Sequence, residues 1–509
     1  MRLPTGIQDF TKLREEGYIY VDKTMFMQPF VAGGVYFLAR PRRFGKSLLL
    51  STLKAIFLGR KDLFKDLWLE NNHDFAVHPI VRLDFSLLDF QARSLETSIL
   101  ESLRQTALEY DLELRQDTAK SVFEELIRGL SSRGKVVVLI DDYDKPITDH
   151  LLEPKKRLEH QNILKSVYGV LKPLDQYLHL VFLTGVSKIG KLSLFSDLNN
   201  LQDVSLNNEF ATICGYTRSE IEFAFPAFIS KAVQTQQVQP EEFWERTKYW
   251  YNGYSWDAIN RLYCPFSFLL FLSQPEFKSY WYETGTPTFL VQMIQNQKID
   301  PLVFELSKVD ESPLVATDVD NLDPIGLMFQ TGYLTIIDKH NTLFGVEYEL
   351  SYPNHEVRLA FSRSLLANYT KSVPSFISGF ALDLRNALLK LEWQNFFERV
   401  NSVLAGVPYE IFPKKEAFMH SLLHLMVQST GLRTQSQVQT SLGRMDMLVE
   451  TLEYQLIFEF KIGGTPEAAL EQINLNKYAD MLLALSKPVV KIGVVFDLET
   501  KSITAWKVE

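Results

Sequence analysis

Cysteine is nearly absent: Cys214 and Cys264 are the only two in 509 residues, so no disulfide framework braces the chain and a reducing compartment fits it. No apolar run approaches the roughly 18 residues a membrane helix needs. The opening MRLPTGIQDF lacks the apolar stretch of a signal peptide. Low-complexity tracts and Gly/Ser/Pro linkers are missing too, so segment boundaries carry no compositional mark. Positive charge is not in excess: 53 Lys and Arg face 62 Asp and Glu, a net −9. Any nucleic-acid partner must therefore be met by local basic patches rather than by the overall field. These absences lead to the expectation of a soluble, cytoplasmic, microbial protein with no membrane partner.

Hydrophobic residues make up 46% of the chain, with 36 Phe and 21 Tyr, enough for several aromatic-rich cores. The length exceeds one core, since domains run to about 100–200 residues. Over the first two hundred residues, apolar runs at Val35–Ala39, Ile80–Phe85, Val136–Ile140 and Leu180–Thr184 alternate with helical stretches. That pattern predicts an α/β fold with a parallel sheet buried on both faces. From Gly215 to about Asp300 the chain turns aromatic and helical. Between Asp323 and Leu366 a helix, two strands (Tyr333–Ile337 and Phe344–Leu350) around a polar DKHN turn, and a second helix suit a winged-helix-like module. No basic recognition helix accompanies it, so structural packing is preferred there to DNA reading.

The first run ends in Arg40-Pro41-Arg42-Arg43-Phe44-Gly45-Lys46-Ser47, followed by the helical LLLSTLKAIF. Strand, loop and helix with Gly-Lys-Ser at the helix start reads as a phosphate cradle, the plainer alternative being an ordinary loop before a helix. Backbone N–H groups and Gly45 receive the anion, Lys46 neutralises it, and the Ser47 hydroxyl is placed to ligate Mg²⁺. Arg40 stands where the usual first glycine of such a loop would be. Arg42 and Arg43 suit nucleotide contact, in cis or across a subunit interface, or are solvated loop charges. A second buried run ends in Asp141-Asp142, where an acid at a strand's carboxyl end holds the Mg²⁺ shell and its neighbour polarises the attacking water. The plainer alternative is a pair of acids closing a strand. Thr184 or Ser187, ending the next run, is placed to sense a γ-phosphate or is a strand-end hydroxyl.

Near the C-terminus, MDMLVE (445–450) reads as a strand bearing Asp446 and YQLIFEFKI (454–462) as its neighbour, with Ile457, Glu459 and Lys461 on one face. Two charges beside an apolar face are costly unless a metal or a partner compensates them. The alternative is an exposed Glu–Lys pair on an edge strand. A helix over Pro466–Leu485 carries Gln472 and Tyr478, completing an αβββαβ order. His420 and His424, four apart on the helix opened by Glu416, lack a third ligand and read as core histidines rather than zinc ligands. Over residues 401–509, ten Lys and Arg face twelve Asp and Glu, a poor balance for unaided binding of nucleic acid.

The segments LPTGIQDF, YVDKT, YFLARPRRFGKSLLLSTL, VRLDFS, VVVLIDDYDKP, FLTGVSKIGKLSLFSDLNNL and WYNGYSW resemble the AAA-ATPase-like family of bacterial and archaeal proteins, whose members commonly end in a PD-(D/E)XK nuclease domain. The resemblance runs from Leu3 to about Asp497. It implies that Arg40 is a family trait, and that Asp446 and Glu459 match metal-binding carboxylates. Lys461 matches the lysine that orients water or stabilises the pentavalent charge, Glu416 an additional acid, and Gln472 and Tyr478 a helix motif of recombination-type members. Such proteins usually carry Asp-Glu where this chain has Asp141-Asp142. A carboxylate misplaced by about 1 Å costs on the order of a hundredfold in rate, so slow hydrolysis is expected.

The resulting expectation is a P-loop ATPase at 1–213, a helical lid at 214–300, a winged-helix-like module at 301–395 and a PD-(D/E)XK nuclease-like domain at 396–509. ATP and Mg²⁺, with Mn²⁺ as a substitute, are the expected cofactors. Nucleic acid is the expected partner, DNA in preference to RNA, and a homo-oligomer is allowed. The competing expectation is a nucleotide-switched signalling or scaffold ATPase whose C-terminal domain binds nucleic acid without cutting.

Overall fold

The computed structural model describes residues 2–281, 288–315, 321–407, 416–439, 443–485 and 487–509. The chain divides into two compact units, one of Met1–Trp281 with Lys308–Asn354 and the other of Tyr282–Ser307 with His355–Glu509. Neither unit is a continuous stretch of sequence.

The first unit is organised by a sheet of β1 (Gly34–Ala39), β2 (Ile80–Asp84), β3 (Val136–Asp141), β4 (Leu178–Gly185) and β5 (Gln202–Asp203). Its order is β2-β3-β4-β1-β5 and every pairing is parallel. Each residue of β3 is buried, which is why VVVLID shows no alternation. The order inserts β4 between the strand that feeds the phosphate loop and the strand that ends in acids. The register pairs Ala39 with Gly185 and Ile140 with Leu183, so the carboxyl ends of all three meet at one edge, where open parallel sheets place their ligands.

Helices Arg218–Ala224, Pro226–Gln236, Pro240–Tyr251 and Pro265–Ser273 form an aromatic cluster that includes Phe225, Phe243, Trp244, Tyr251, Phe268 and Phe271, closed by Ile19 and Val21 from the N-terminal segment. A small sheet, β6 (Ser307–Asp310), β7 (Thr335–Thr342) and β8 (Gly345–Ser351), has the order β6-β8-β7. Its hairpin is tied to the WYNGYSW segment. The Ser255 N–H donates to Thr335 Oγ1 (2.7 Å), and the Arg261 guanidinium donates to the carbonyls of Ile336 and Ile337 at 2.5 and 2.7 Å. Gly253 is required there, because its φ is +127° and a Cβ would lie 1.9 Å from the Pro353 carbonyl oxygen.

The helix–strand–strand–helix order expected between Asp323 and Leu366 is present, but its last helix, His355–Thr370, belongs to the second unit. The expected polar turn is a correction. Asp338-Lys339-His340-Asn341 lie within β7, and the turn is made by Leu343 and Phe344, both fully exposed.

The second unit carries β9 (Arg433–Gln439), β10 (Arg444–Glu450), β11 (Gln455–Ile462), β12 (Val489–Asp497) and β13 (Ser502–Val508), ordered β13-β12-β11-β10-β9. Only β11 and β12 pair in parallel. Helix Pro466–Leu475 covers the β11 face that holds Ile457, through Leu470 and Ile473. Trp393 meets Phe458 edge-on and Phe396 packs tilted against it. The expected helix is shorter than its reading: it stops at Leu475, and a 3₁₀ stretch follows over Tyr478–Leu485. A strand beyond the expected set, β13, closes the sheet edge next to β12.

Candidate active sites

In the first unit the phosphate loop leaves β1 and enters helix Lys46–Phe57 through Gly45, which is left-handed at φ +95°. Arg43 is left-handed as well, at φ +72°. Arg40 does not face the cradle. It is fully buried and donates to the carbonyls of Ala39 (2.9 Å), Ser205 (2.7 Å) and Phe210 (3.0 Å), with its guanidinium over the Trp256 ring at 4.2 Å. Phe44 meets Tyr254 and Trp256 edge-on, at 4.7 and 5.3 Å between ring centres. The loop is thus clamped from behind by the WYNGYSW segment, each aromatic pair adding about 0.5–1.5 kcal/mol beyond area burial. Arg42 is exposed, and the Arg43 guanidinium lies over Phe266 at 3.8 Å. Ser47 is half-buried at the helix start.

Lys46 is buried. Its ammonium donates to the Pro41 carbonyl (3.2 Å) and lies 4.0 Å from Asp142 Oδ1. Asp142 has a left-handed backbone, φ +50°, and its Oδ2 accepts from the Ser86 hydroxyl at 2.7 Å. Asp141 is 1% exposed: its Oδ1 accepts from Thr184 Oγ1 at 2.7 Å, while Oδ2 has no hydrogen-bond partner among the described residues. Thr184 therefore joins Asp141, whereas Ser187 is committed elsewhere. Its N–H and hydroxyl both donate to Asp144 Oδ2, at 2.8 and 2.6 Å. Gly185 allows this approach, since a Cβ there would come within 2.5 Å of Tyr143 and 2.7 Å of Asp144. Asp144 is a buried anchor for this turn.

In the second unit β11 is the central strand, so the exposed edge pair is excluded. Asp446 and Glu459 each stand one step past the cross-strand pair Met447–Phe458, side by side on β10 and β11. Asp446 Oδ2 accepts from the Phe460 N–H at 2.9 Å. Glu459 is 1% exposed, and its Oε2 has no partner among the described residues. Burial, then the neighbouring Asp446 charge, pushes its carboxyl up to about 8 against the opposing pull of Lys461. Lys461 Nζ lies 3.8 Å from Glu459 Oε1 and donates to Gln472 Oε1. Four of the expected residues, Asp446, Glu459, Lys461 and Gln472, thus adjoin one another.

Tyr478 does not reach that group through its hydroxyl. It is buried, donates to the Arg444 carbonyl (2.7 Å) and accepts from Asn476 Nδ2 (2.8 Å), bracing the start of β10. Glu416 opens helix Glu416–Ser429, but its side chain lies outside the described residues. On the same helix His420 Nε2–H donates to the Asp446 carbonyl at 3.0 Å and packs its ring on Phe460. His424 Nε2 lies 3.3 Å from Glu305 Oε1. Among the described residues neither histidine joins a three-ligand cluster. The support that His420 gives Asp446 was missed in the sequence, where only its burial was legible. The Asp338, His340 and Glu349 ligand atoms lie within 4.8 Å of one another, but on an exposed hairpin face where Lys308 already pairs with Glu349 at 2.6 Å.

A parallel sheet with a Gly-Lys-Ser loop and a strand-end acid is consistent with a P-loop-like fold, and the mixed sheet with its buried carboxylate and lysine suits a nuclease-like domain. The chain belongs to the AAA-ATPase-like family and ends in a PD-(D/E)XK nuclease-superfamily domain: the family model described as predicted AAA-ATPase matches residues 4–195, and the PD-(D/E)XK model matches 414–506. It is 35% identical to an uncharacterized protein in the vnfD 5′ region of Azotobacter chroococcum mcd 1, over 100% of this chain and 99% of that relative. No solved structure matches it. Among the described residues no helix is long and apolar enough to cross a membrane.

Proposed function

We propose that the chain is a nucleotide-regulated nuclease that hydrolyses phosphodiester bonds with Mg²⁺ or Mn²⁺, acting on DNA in preference to RNA. The observation that carries this is Glu459. A carboxylate buried on the central strand, beside another acid and with an orphaned oxygen, is stable as an anion only if a cation joins it. Asp446 and Glu459 would hold that ion, with Glu416 as an additional acid. A bound divalent ion polarises the scissile phosphate and acidifies its own water. Lys461, restrained by Gln472, presents an ammonium to the attacking water or to the charge developing on phosphorus.

In the other unit, ATP is assigned to the amides at the start of helix Lys46–Phe57, with Gly45, Lys46, Ser47 and Arg42 around the phosphates. Arg43 would have to leave Phe266 to join them. Asp141 is assigned to Mg²⁺, Asp142 to the attacking water, and Thr184, through Asp141, to the γ-phosphate. The winged-helix-like reading of 301–395 is kept as a packing module: Asp338, Glu347 and Glu349 make one hairpin face acidic and ill-suited to a duplex. The four segments expected from sequence, a cytoplasmic location and a homo-oligomer belong to the same proposal.

Supercoiled plasmid and single-stranded DNA are to be incubated with the full chain and Mg²⁺ or Mn²⁺. Asp446→Ala and Glu459→Ala are each expected to abolish cleavage, and nicking that survives both belongs to a contaminant and ends the nuclease reading. Within the site, Gln472→Ala, which frees Lys461, is expected to slow cleavage by about tenfold. Tyr478→Phe should cost about 1 kcal/mol of stability while leaving the rate within a few-fold. Equal rate losses in the two variants would place Tyr478 in the chemistry after all.

A further inference from the structure

Strand β2 carries a charged pair that the nucleotide site does not yet explain. Arg82 and Asp84 are two apart and share a face, and the parallel register sets Asp84 beside Asp141. Arg82 Nη2 donates to Asp84 Oδ2 at 2.9 Å and stands 3.9 Å from Asp141 Oδ2. That second distance is too long for a hydrogen bond. On the Asp141 side of the gap Oδ2 is buried without a partner among the described residues, whereas the facing Nη2 is already held by Asp84; Arg82 Nε, elsewhere on the guanidinium, is also buried without a partner among them. A buried anion and a cation so close would ordinarily close up, because each orphaned charged group carries a desolvation penalty. Asp84 prevents this. It holds the guanidinium, and its other oxygen is fixed by the Ser86 N–H at 3.1 Å.

We propose that Arg82 is a built-in counter-cation that withholds Asp141 from divalent metal until nucleotide arrives, with Asp84 as the anchor that keeps the guanidinium off Asp141. The inference rests on reading Asp141 as the metal ligand of the nucleotide site. A fixed positive charge about 4 Å from that oxygen repels an entering divalent ion strongly enough to change its affinity by an order of magnitude. The phosphates of a nucleotide would restore the balance by adding negative charge to the site. Metal and nucleotide then bind together, and the nucleotide-free site does not fill with metal. Arg82 is a positioning residue: it acts on Asp141 and touches no reacting atom.

The two members of the pair have opposite expected effects, which a merely structural role does not produce. In the full chain bearing Asp446→Ala, to weaken the second divalent site, a fluorescent ATP analogue is bound while Mg²⁺ is titrated. Arg82→Met is expected to lower the Mg²⁺ midpoint by about tenfold, and Asp84→Asn, which releases Arg82 onto Asp141, to raise it by a similar factor. Arg82→Lys, which keeps the charge, should stay near the parent value. Midpoints that do not move, or that move in the same direction in both variants, overturn the proposal. Mn²⁺ binding followed by electron paramagnetic resonance without nucleotide gives an independent readout. Arg82→Met should bind about tenfold more tightly than the parent, and equal binding overturns the proposal even if the parent binds no nucleotide, a result that would instead remove the ATP reading.

Discussion

Glu459→Gln is expected to lower metal-dependent cleavage by about a hundredfold or more and, in the absence of metal, to make the protein more heat-stable at alkaline pH. The two effects have one cause. The carboxyl is buried against Asp446, among the described residues Lys461 is the only cation close to it, and its pKa is raised from 4.5 to about 8. Between those values the folded chain holds a proton that the unfolded chain has released. Stability is therefore complete at acidic pH and is lost as pH rises through about 8, by about 1.4 kcal/mol for each unit crossed. Glutamine has the same shape and no charge to desolvate, so it removes that slope along with the proposed metal ligand. Melting temperatures measured in EDTA from about pH 5 to 9 should fall for the parent and stay level for the variant, and Mg²⁺ should rescue only the parent. Parallel profiles would mean that Glu459 is satisfied in some other way, and the case for a cation at that point would fail.

Restoring the residue that a phosphate loop usually has at its first position should harm this protein rather than help it. Arg40→Gly is expected to destabilise the first unit by about 4 kcal/mol or more. The substitution leaves three buried carbonyls without their donor and an empty space over Trp256. The backbone at this position has no positive φ to relieve, so glycine's freedom brings no gain. Burial lowers the guanidinium pKa to about 10, which still leaves it charged at neutral pH. Arg40→Lys should recover only part of the loss, because a single ammonium cannot span the Ser205 and Phe210 carbonyls as a planar fork does. Chemical denaturation with nucleotide binding in parallel checks this. An Arg40→Gly protein of unchanged stability would contradict the buried hydrogen bonds.

Much of the fold was legible because it rests on local pattern. The four apolar runs of the first sheet, the Gly-Lys-Ser helix start and the acid-ended strand all lie where periodicity and strand-end chemistry put them. So do Asp446 and the Glu459–Lys461 pair, because a charge inside an apolar strand is visible in any register. What was not legible depends on residues distant in number. The clamp of Tyr254 and Trp256 on Phe44 joins segments some two hundred positions apart, and no spacing rule announces it. The hairpin misled for a physical reason: β7 is an edge strand whose second half faces solvent, so its polar residues look like a turn while the true turn is apolar. Tyr478 sits in a motif position next to the chemistry, but its hydroxyl is spent on the Arg444 backbone.

The interrupted path of the chain sets a limit on how this protein can be taken apart. Helix Glu416–Ser429, which supports Asp446 through His420, has its polar side chains met from segments that a C-terminal fragment would leave behind. Ser421 bonds Asp300, and His424 and Gln428 meet Glu305. Gln428 also accepts from Ser362 on helix His355–Thr370, and Arg363 bonds the helix's last carbonyl. A piece excised at the family-model boundary would carry every residue proposed for cutting, yet expose raw polar groups along its backing helix. To stand alone, such a piece would need new partners for that helix.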